Sequence, residues 1–593
     1  MRRRRPLRRT LELTLEQRLL RFLAREEEGE RQTHRELRAQ PIDLRVIDGD
    51  CIHDARFTGR DGSAFVFTCS ENHSKFRTGD PVAVGDGQDF DAASPMAYAA
   101  YDAGRSELRL ELDPYNRSAR TDFVVGCAYV VDRREFGGRG SLAVAVRDAF
   151  AFPWLKNVLE GRHELTCDEA RLLRARSFLL SRGLNSAQVE AGAAAIATES
   201  LALVQGPPGT GKTKLLAEVV AALCSRKCRI ALCAFTHNAV DNALLAIRKV
   251  APELELVKVG GNSGGSSEAR ADLSRAGVRL VDAKRAMLPA ESVVVAGTCY
   301  QFPKLQEDTA FHYTVFDEAG QLPIPHALPA MLRSKRWLFF GDHRQLPPVV
   351  TSEHRDREAA DSIFAHLHRR YGGHLLDTTY RMNEGVCRLV SETYYDGLLH
   401  AAPSSIDRRL PFVPGGRLDE VLDPAHSVVW VRVDHRQPGS RSHEEAHAVA
   451  DVVADLVRQH GVPTREIAVI APFRAQVQLL RAALDQKELQ NRAELVVDTV
   501  ERIQGQEREA VVVSLTAGDP DEARGRSAFH LNENRLNVAL SRARTKVVLV
   551  ASAHSFEAIP GDVDALRTAS RCRELRDRLT MVDLTKLYCG PVA

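Results

Sequence analysis

The residues best equipped for chemistry stand at 206–213, where the chain reads Gly206, Pro207, Pro208, Gly209, Thr210, Gly211, Lys212 and Thr213. Glycines carry no Cβ, so successive backbone N–H groups can turn inward on an anion, and a helix beginning directly behind them adds its positive end. Leu215 and Leu216 open such a helix. On ATP, Lys212 would reach the β- and γ-phosphate oxygens and Thr213 would ligate Mg²⁺. Asp317 and Glu318 follow the apolar run 313–316, whose strand end would bring both carboxylates beside the phosphates. There Asp317 would hold the Mg²⁺, and Glu318 would orient and deprotonate the attacking water. Charge developing on the phosphoryl oxygens also calls for cations. Arg381 and Arg542 are the candidates, each able to contribute on the order of 10³–10⁵ in rate.

Such a site needs a rigid frame. From about residue 185, apolar runs of strand length alternate with helical periodicity, the pattern of parallel α/β domains with right-handed crossovers. A first block has strands predicted at 202–205, 230–235, 293–297, 314–316 and 338–340. A second has them at 428–433, 467–470, 495–497, 510–514 and 547–550. Within the first block, a Gly/Ser-rich stretch at 260–267 and a helical stretch near 269–287 read as a small insertion. Upstream, Thr14 and Gln17 have capping-box spacing, and Leu15, Leu19, Phe22 and Leu23 share one helical face. A second helix is expected near 167–182. Short runs broken by Gly and Asp, at 44–47, 65–67, 82–84, 108–112 and 123–131, suggest a small β-barrel. The expected division is therefore 1–183 for helices and barrel, 184–350 for a first P-loop domain with an insertion at about 246–290, 375–560 for a second, and 561–593 as a helical segment.

Bulk properties narrow the function classes. The chain has 593 residues, enough for several cores, and its 44% hydrophobic and 27% charged content excludes a disordered or fibrous protein. Lys and Arg number 81 against 79 Asp and Glu, a net +2, so any polyanion must be met by local charge. One local run, Arg2 to Arg5 with Arg8 and Arg9, reads as a solvated terminus or as a phosphate contact. No apolar stretch approaches the ~18 residues of a membrane span. Eleven scattered cysteines, an odd number, fit a reducing compartment, and Cys224 with Cys228 lack the second pair of a zinc site. A cytoplasmic protein is expected.

Further words of sequence occur in a telling order. They are Leu184-Asn-Ser-Ala-Gln188, Phe235-Thr-His-Asn-Ala-Val-Asp-Asn242, Asp317-Glu-Ala-Gly-Gln321 and Gly341-Asp-His-Arg-Gln345-Leu-Pro-Pro. Thr379-Tyr380-Arg381-Met382, Ala471-Pro-Phe-Arg-Ala-Gln476, Val497-Asp-Thr-Val-Glu-Arg-Ile-Gln-Gly505-Gln-Glu507 and Asn534-Arg-Leu-Asn-Val-Ala-Leu-Ser-Arg542-Ala-Arg544 follow. Together with the glycine loop, this set resembles the motifs of superfamily 1 helicases, specifically subgroup B members like the nonsense-mediated-decay and immunoglobulin-mu-binding helicases.

The resemblance implies an α/β fold of two tandem RecA-like P-loop domains, with an N-terminal small β-barrel and stalk helices. Phe76-Arg-Thr-Gly-Asp-Pro-Val82 looks like the barrel signature of that group. It further implies that Gln188 reads the adenine edge, Tyr380 stacks on the adenine, Glu507 holds the ribose and Gln345 senses the γ-phosphate. Thr236, His237, Asn238, Thr298, Arg474 and Thr499 would grip the backbone of single-stranded DNA or RNA with little sequence preference. The implied activity is an ATP-dependent helicase or translocase travelling 5′-to-3′. The same motifs would serve a nucleic-acid-stimulated ATPase that remodels protein–nucleic acid complexes, and a P-loop alone also occurs in protein-directed ATPases. Thr379 departs from the usual Gln or Glu, Gly320 follows Ala319, and the insertion is short.

Overall fold

The computed structural model describes residues 13–589 apart from 71, 73, 77–78, 91, 103, 113–121, 135–139, 261–266, 437–439, 504, 519–531 and 558–562. The arginine run at residues 2–9 therefore lies outside the described residues. The chain divides into two compact units: residues 1–204, 213–341 and 348–373 make the first, and 205–212, 342–347 and 374–593 the second.

The first unit opens with the helix Leu15–Ala39, started by the Thr14–Gln17 capping box. Leu19, Phe22 and Leu23 bury their common face against Leu142, Val146 and the core beneath the sheet. Farther along the same helix, Glu26 accepts hydrogen bonds from Thr351 N (2.9 Å), Thr351 Oγ1 (2.9 Å) and Ser352 N (3.0 Å), and meets His354 Nε2 at 2.7 Å. Arg18 forks onto Asp356 (2.6 and 2.7 Å) and reaches Glu358 (2.7 Å). The helix thereby clamps the segment 351–358.

Strands β1 (Cys51–Asp61), β2 (Ala64–Thr68), β3 (Pro81–Gly85), β4 (Ser94–Asp102), β5 (Glu107–Leu112) and β6 (Ala128–Arg133) form a closed barrel in the order β1-β2-β5-β4-β3-β6. Alternate residues Phe65 and Phe67, Val82 and Val84, and Leu108 and Leu110 fill it. Residues 44–47, expected as a strand, instead lie in the helix Ile42–Ile47. There Ile47 is 75% exposed, and the buried group is Arg45, paired with Asp132 and donating to Gly87 O (2.7 Å). The apolar appearance of that run was misleading because a charge, not an aliphatic, faces inward. The run at 123–131 becomes a strand only from Ala128, after a turn at Gly126 (φ +86°).

The first α/β sheet uses β7 (Leu201–Gln205), β8 (Arg229–Ala234), β9 (Glu255–Val259), β10 (Arg279–Val281), β11 (Val293–Thr298), β12 (Tyr313–Phe316) and β13 (Trp337–Gly341), with β10-β9-β11-β8-β12-β13-β7 as neighbours in order. Pairing is parallel from β10 through β13. The segment expected as an insertion at about 246–290 supplies β9 and β10 to this sheet. Lys258 hid β9 by interrupting its apolar run, yet its Nζ is buried 2.6 Å from Asp241 Oδ1. The helix expected at 269–287 is Ser267–Arg275, ending before Gly277 (φ +70°).

In the second unit, β14 (Val428–Arg432), β15 (Ile467–Ile470), β16 (Val496–Asp498), β17 (Arg508–Ser514), β18 (Ala543–Ala551) and β19 (Thr580–Asp583) are ordered β16-β15-β17-β18-β14-β19, all parallel. The C-terminal segment, expected as helical, thus adds the edge strand β19 after the helix Val563–Asp577. Both units carry parallel sheets flanked by helices, a mixed α/β fold whose strands read as near-continuous apolar runs because both faces are covered. No described helix is long and apolar enough to cross a membrane.

Burial pushes the Glu26 carboxyl up, but the donors on Thr351, His354 and Ser352 outweigh it and leave its pKa below the usual range. Burial acts on Glu358 too, and Arg370 and Arg18 pull it down to about 2. Carboxyls depressed on folding contribute stability above their unfolded pKa and lose it as pH falls through the folded one. Glu26→Ala is expected to cost about 1–3 kcal/mol at neutral pH by leaving buried donors unpaired. In urea unfolding, the gap from wild type should narrow as the pH drops below about 4.

Candidate functional site

In the first unit the carboxyl edge of the sheet brings together Thr236, Thr298, Asp317 and Glu318. Thr298 is in register with Ala234, and Phe316 with Cys233, so the strand ends of β11, β8 and β12 lie side by side. Asp317 is buried, its N–H donating to Cys233 O (3.0 Å) and its Oδ1 accepting from Glu318 N (2.9 Å). Glu318 sits at φ +50°, a left-handed conformation that costs a non-glycine residue on the order of 1–3 kcal/mol. Gln321 Nε2 reaches its Oε2 at 3.4 Å. Thr213 lies in the first turn of the helix Lys212–Cys224, which follows the loop after β7.

The same unit holds Gln188 and the first strand-grip candidates. Gln188 Oε1 accepts from Asn185 N (3.1 Å), closing a capping box that fixes the orientation of its amide. Thr236 caps the helix His237–Val250, its Oγ1 accepting from Ala239 N (3.2 Å). Asn238 is exposed and Thr298 buried. Burial, aided by Lys258, lowers the His237 pKa to about 4, so its ring is neutral at neutral pH and would offer a hydrogen bond rather than a charge. Its Nδ1 is buried without a hydrogen-bond partner among the described residues.

In the second unit the glycine loop is docked on the segment carrying Arg381. Thr379 Oγ1 donates to Pro208 O (2.9 Å), Tyr380 N to Gly209 O (2.8 Å) and Leu376 N to Gln205 O (2.9 Å). The threonine that departs from the family pattern thus serves the loop as a donor. Gly206 lies under the Lys212 side chain, where a Cβ would come within 2.8 Å of Lys212 Cβ. Gly209 and Gly211 both have positive φ (+74° and +77°). This is a cradle that side chains would fill, and its donor set suits a triphosphate with Mg²⁺.

Arg381 in turn belongs to a cluster of charged groups. Arg381 Nε donates to Glu507 Oε2 (2.8 Å) and its Nη1 to Ser541 O (2.9 Å), while Arg544 Nη2 donates to Glu507 Oε1 (2.8 Å). Burial pushes the Glu507 carboxyl up, but Arg544 and Arg381 outweigh it and hold it below the usual range. Arg542 Nε donates to Val538 O (3.0 Å), and its Nη2 lies 3.5 Å from Gln345 Oε1. Tyr380 keeps 40% exposure, enough to offer a ring face.

Glu507 and Arg542 stand at the amino ends of β17 and β18, whose Arg508 and Ala543 are paired. Arg474 and Thr499 follow β15 and β16, whose Ile470 and Asp498 are paired, and so occupy the carboxyl edge. The length of a seven-residue strand, roughly 20 Å, separates the two groups. Met382, read as packing, is buried in the core of this unit.

Sequence reasoning assigned no role to Asp342, Asn537, Arg544 or Tyr395. Asp342 Oδ1 accepts from Gln205 Nε2 (3.0 Å) and Arg344 N (3.1 Å), and Oδ2 from Gln345 Nε2 (2.8 Å) and Tyr395 OH (2.6 Å). Burial raises its pKa, against the pull of those donors. The first three stood inside quoted motifs; Tyr395 carried no signal. No cluster of metal-ligating side chains occurs among the described residues.

Two family models, each described as an AAA domain, match the chain, one over residues 183–284 and 265–353 and the other over 359–554. The chain is 28% identical over 404 residues to the DNA replication ATP-dependent helicase/nuclease JHS1 of Arabidopsis thaliana, covering 65% of this chain and 30% of that protein. It is 26% identical over 395 residues to the DNA replication ATP-dependent helicase/nuclease dna2 of Schizosaccharomyces pombe, covering 62% of this chain and 28% of that protein. The DNA-binding protein SMUBP-2 of Rattus norvegicus is 28% identical over 434 residues, covering 63% of this chain and 43% of that protein. The chain thus spans less than half the length of each of these relatives.

Gly209→Ala tests the cradle. Besides the positive φ, a Cβ there would lie 2.5 Å from Arg381 Cβ and 2.6 Å from Thr379 Oγ1. Left-handed strain of roughly 1–2 kcal/mol plus overpacking should weaken ATP binding about tenfold or more. Titration with a fluorescent nucleotide, alongside unchanged far-UV circular dichroism, checks this.

Proposed function

This chain belongs to the superfamily 1 helicases, in the group of the nonsense-mediated-decay and immunoglobulin-mu-binding helicases, and from that membership we propose that it is an ATP-hydrolysing motor on single-stranded DNA or RNA, moving 5′-to-3′ and unwinding duplex as it advances. The observation that carries this reading is Arg542 set against Gln345 in the same unit as a glycine loop gripped by Thr379 and Tyr380. An arginine beside the γ-phosphate sensor supplies charge where it develops in phosphoryl transfer.

The residues divide the work. Loop residues 206–211 and Lys212 cradle the phosphates, Gln188 and Tyr380 hold the adenine, and Glu507 takes the ribose while restraining Arg381. Thr213 and Asp317 would hold Mg²⁺, which supplies electrostatic stabilisation of the phosphoryl oxygens. Glu318 orients the attacking water and takes its proton. Thr236, His237, Asn238, Thr298, Arg474 and Thr499 are the residues that grip the strand backbone. Residues 184–350 and 375–560 act as RecA-like motor domains, with the helices and barrel before them as stalk and accessory module, and residues 561–593 as a C-terminal segment. Eleven cysteines, all thiols, support a cytoplasmic address.

ATP hydrolysis by the purified protein should rise with single-stranded DNA or RNA. Lys212→Ala should abolish the stimulated rate, and Arg542→Ala should lower it by about 10³-fold or more. Hydrolysis indifferent to both polymers would sink the motor reading.

A further inference from the structure

Tyr395 caps the C-terminus of the helix Glu384–Tyr394 and is 3% exposed, outside every motif that carries the family resemblance. Its hydroxyl makes two directional bonds. It donates to Asp342 Oδ2 at 2.6 Å and accepts from Asn537 Nδ2 at 2.9 Å. Asn537 belongs to the helix Glu533–Leu540, which runs into Arg542, and its amide also donates to Arg344 O (2.7 Å). Asn534, one turn earlier, donates to His343 O (3.1 Å) and to Gln345 O.

The carboxylate these groups share decides how Gln345 presents itself. Gln345 Nε2 donates to Asp342 Oδ2, so its Oε1 is left facing Arg542 Nη2. A flipped amide would set oxygen against carboxylate oxygen and two sets of donors against each other, which the pairing forbids. Three of the four donors on Asp342 come from Gln205 and from the 342–345 segment itself. Tyr395 alone among them comes from the chain beyond residue 374, the part that also carries Arg542. A buried carboxylate holds one orientation only while its donors do.

We propose that Tyr395 is a positioning residue for ATP hydrolysis: its hydroxyl aligns the Asp342 carboxylate, which orients the Gln345 amide against Arg542. This rests on the reading of the chain as an ATP-driven motor. Tyr395 touches no reacting atom and acts through Gln345. Its removal therefore disturbs turnover rather than nucleotide capture, and it disturbs nothing once Gln345 is gone.

The test is steady-state ATP hydrolysis, basal and with single-stranded nucleic acid, by the full chain and by Tyr395→Phe, Gln345→Ala and the double variant. Asn537→Ala, which strips the hydroxyl's other partner, gives an independent route. Tyr395→Phe should lower kcat roughly ten- to a hundredfold, as small misplacements of catalytic groups do, with KM for ATP within about twofold of wild type. In the Gln345→Ala background it should change kcat less than about twofold, because coupled groups are non-additive. Asn537→Ala should lower kcat alike and fail to add to Tyr395→Phe. A full Tyr395→Phe loss persisting without Gln345, a wild-type kcat in Tyr395→Phe, or a loss confined to KM would each overturn the proposal. Wild-type hydrolysis that ignores nucleic acid would overturn the motor reading instead, and the cycle on basal turnover would still judge Tyr395; a wild type without hydrolysis overturns both.

Discussion

A carboxylate taken wholly out of water must collect donors from whatever chain surrounds it, and Asp342 collects them from Gln205 at the end of β7, from its own turn, and from Tyr395. Desolvating that charge costs several kcal/mol unless the donors are in place, so the segments that supply them are held to one arrangement. Glu507, a half-buried carboxylate, is likewise shared, here between Arg381 and Arg544. Arg381 is thus held by Glu507, Arg542 faces the Gln345 amide that Asp342 orients, and the glycine loop is docked on the Arg381 segment through Thr379.

Parallel sheets impose the second constraint. Every strand delivers its following loop to one edge, so Thr236, Thr298 and Asp317 arrive together without being near in sequence. In the second unit the register splits the site instead, with Arg542 and Glu507 before their strands and Arg474 and Thr499 after theirs. Rigid strands between the two edges are suited to tie events at one to the other. In the first unit, the helix Leu15–Ala39 restrains residues 351–358 through Glu26 and Arg18.

Much of the core was legible. The strands at 230–235, 293–297, 467–470 and 547–550 fall where apolar runs placed them, because a strand covered on both faces needs no alternation to be recognised. Among the elements that escaped notice, two have a charge at their centre, while the short edge strands β10 and β19 were too brief to stand out. Lys258 disguised β9, and Arg45 turned an apparent strand into a short helix; each is buried only because Asp241 or Asp132 meets it. The candidate site divides in the same way. Glycines, Lys212 and the Asp317–Glu318 pair could be read from local spacing. By contrast, the neutral state of His237 depends on burial and on Lys258 from β9.

By itself the sequence determined the order of elements, the phosphate-cradling loop and the acids and arginines available for chemistry, since backbone conformation and hydrophobic periodicity act over a few residues. Only the tertiary structure decided which charges are paired, which way the Gln345 amide faces, and that Tyr395 belongs to its network. Those outcomes depend on desolvation and hydrogen-bond geometry among groups far apart in the chain, and no local pattern records which distant donor will meet a buried acceptor.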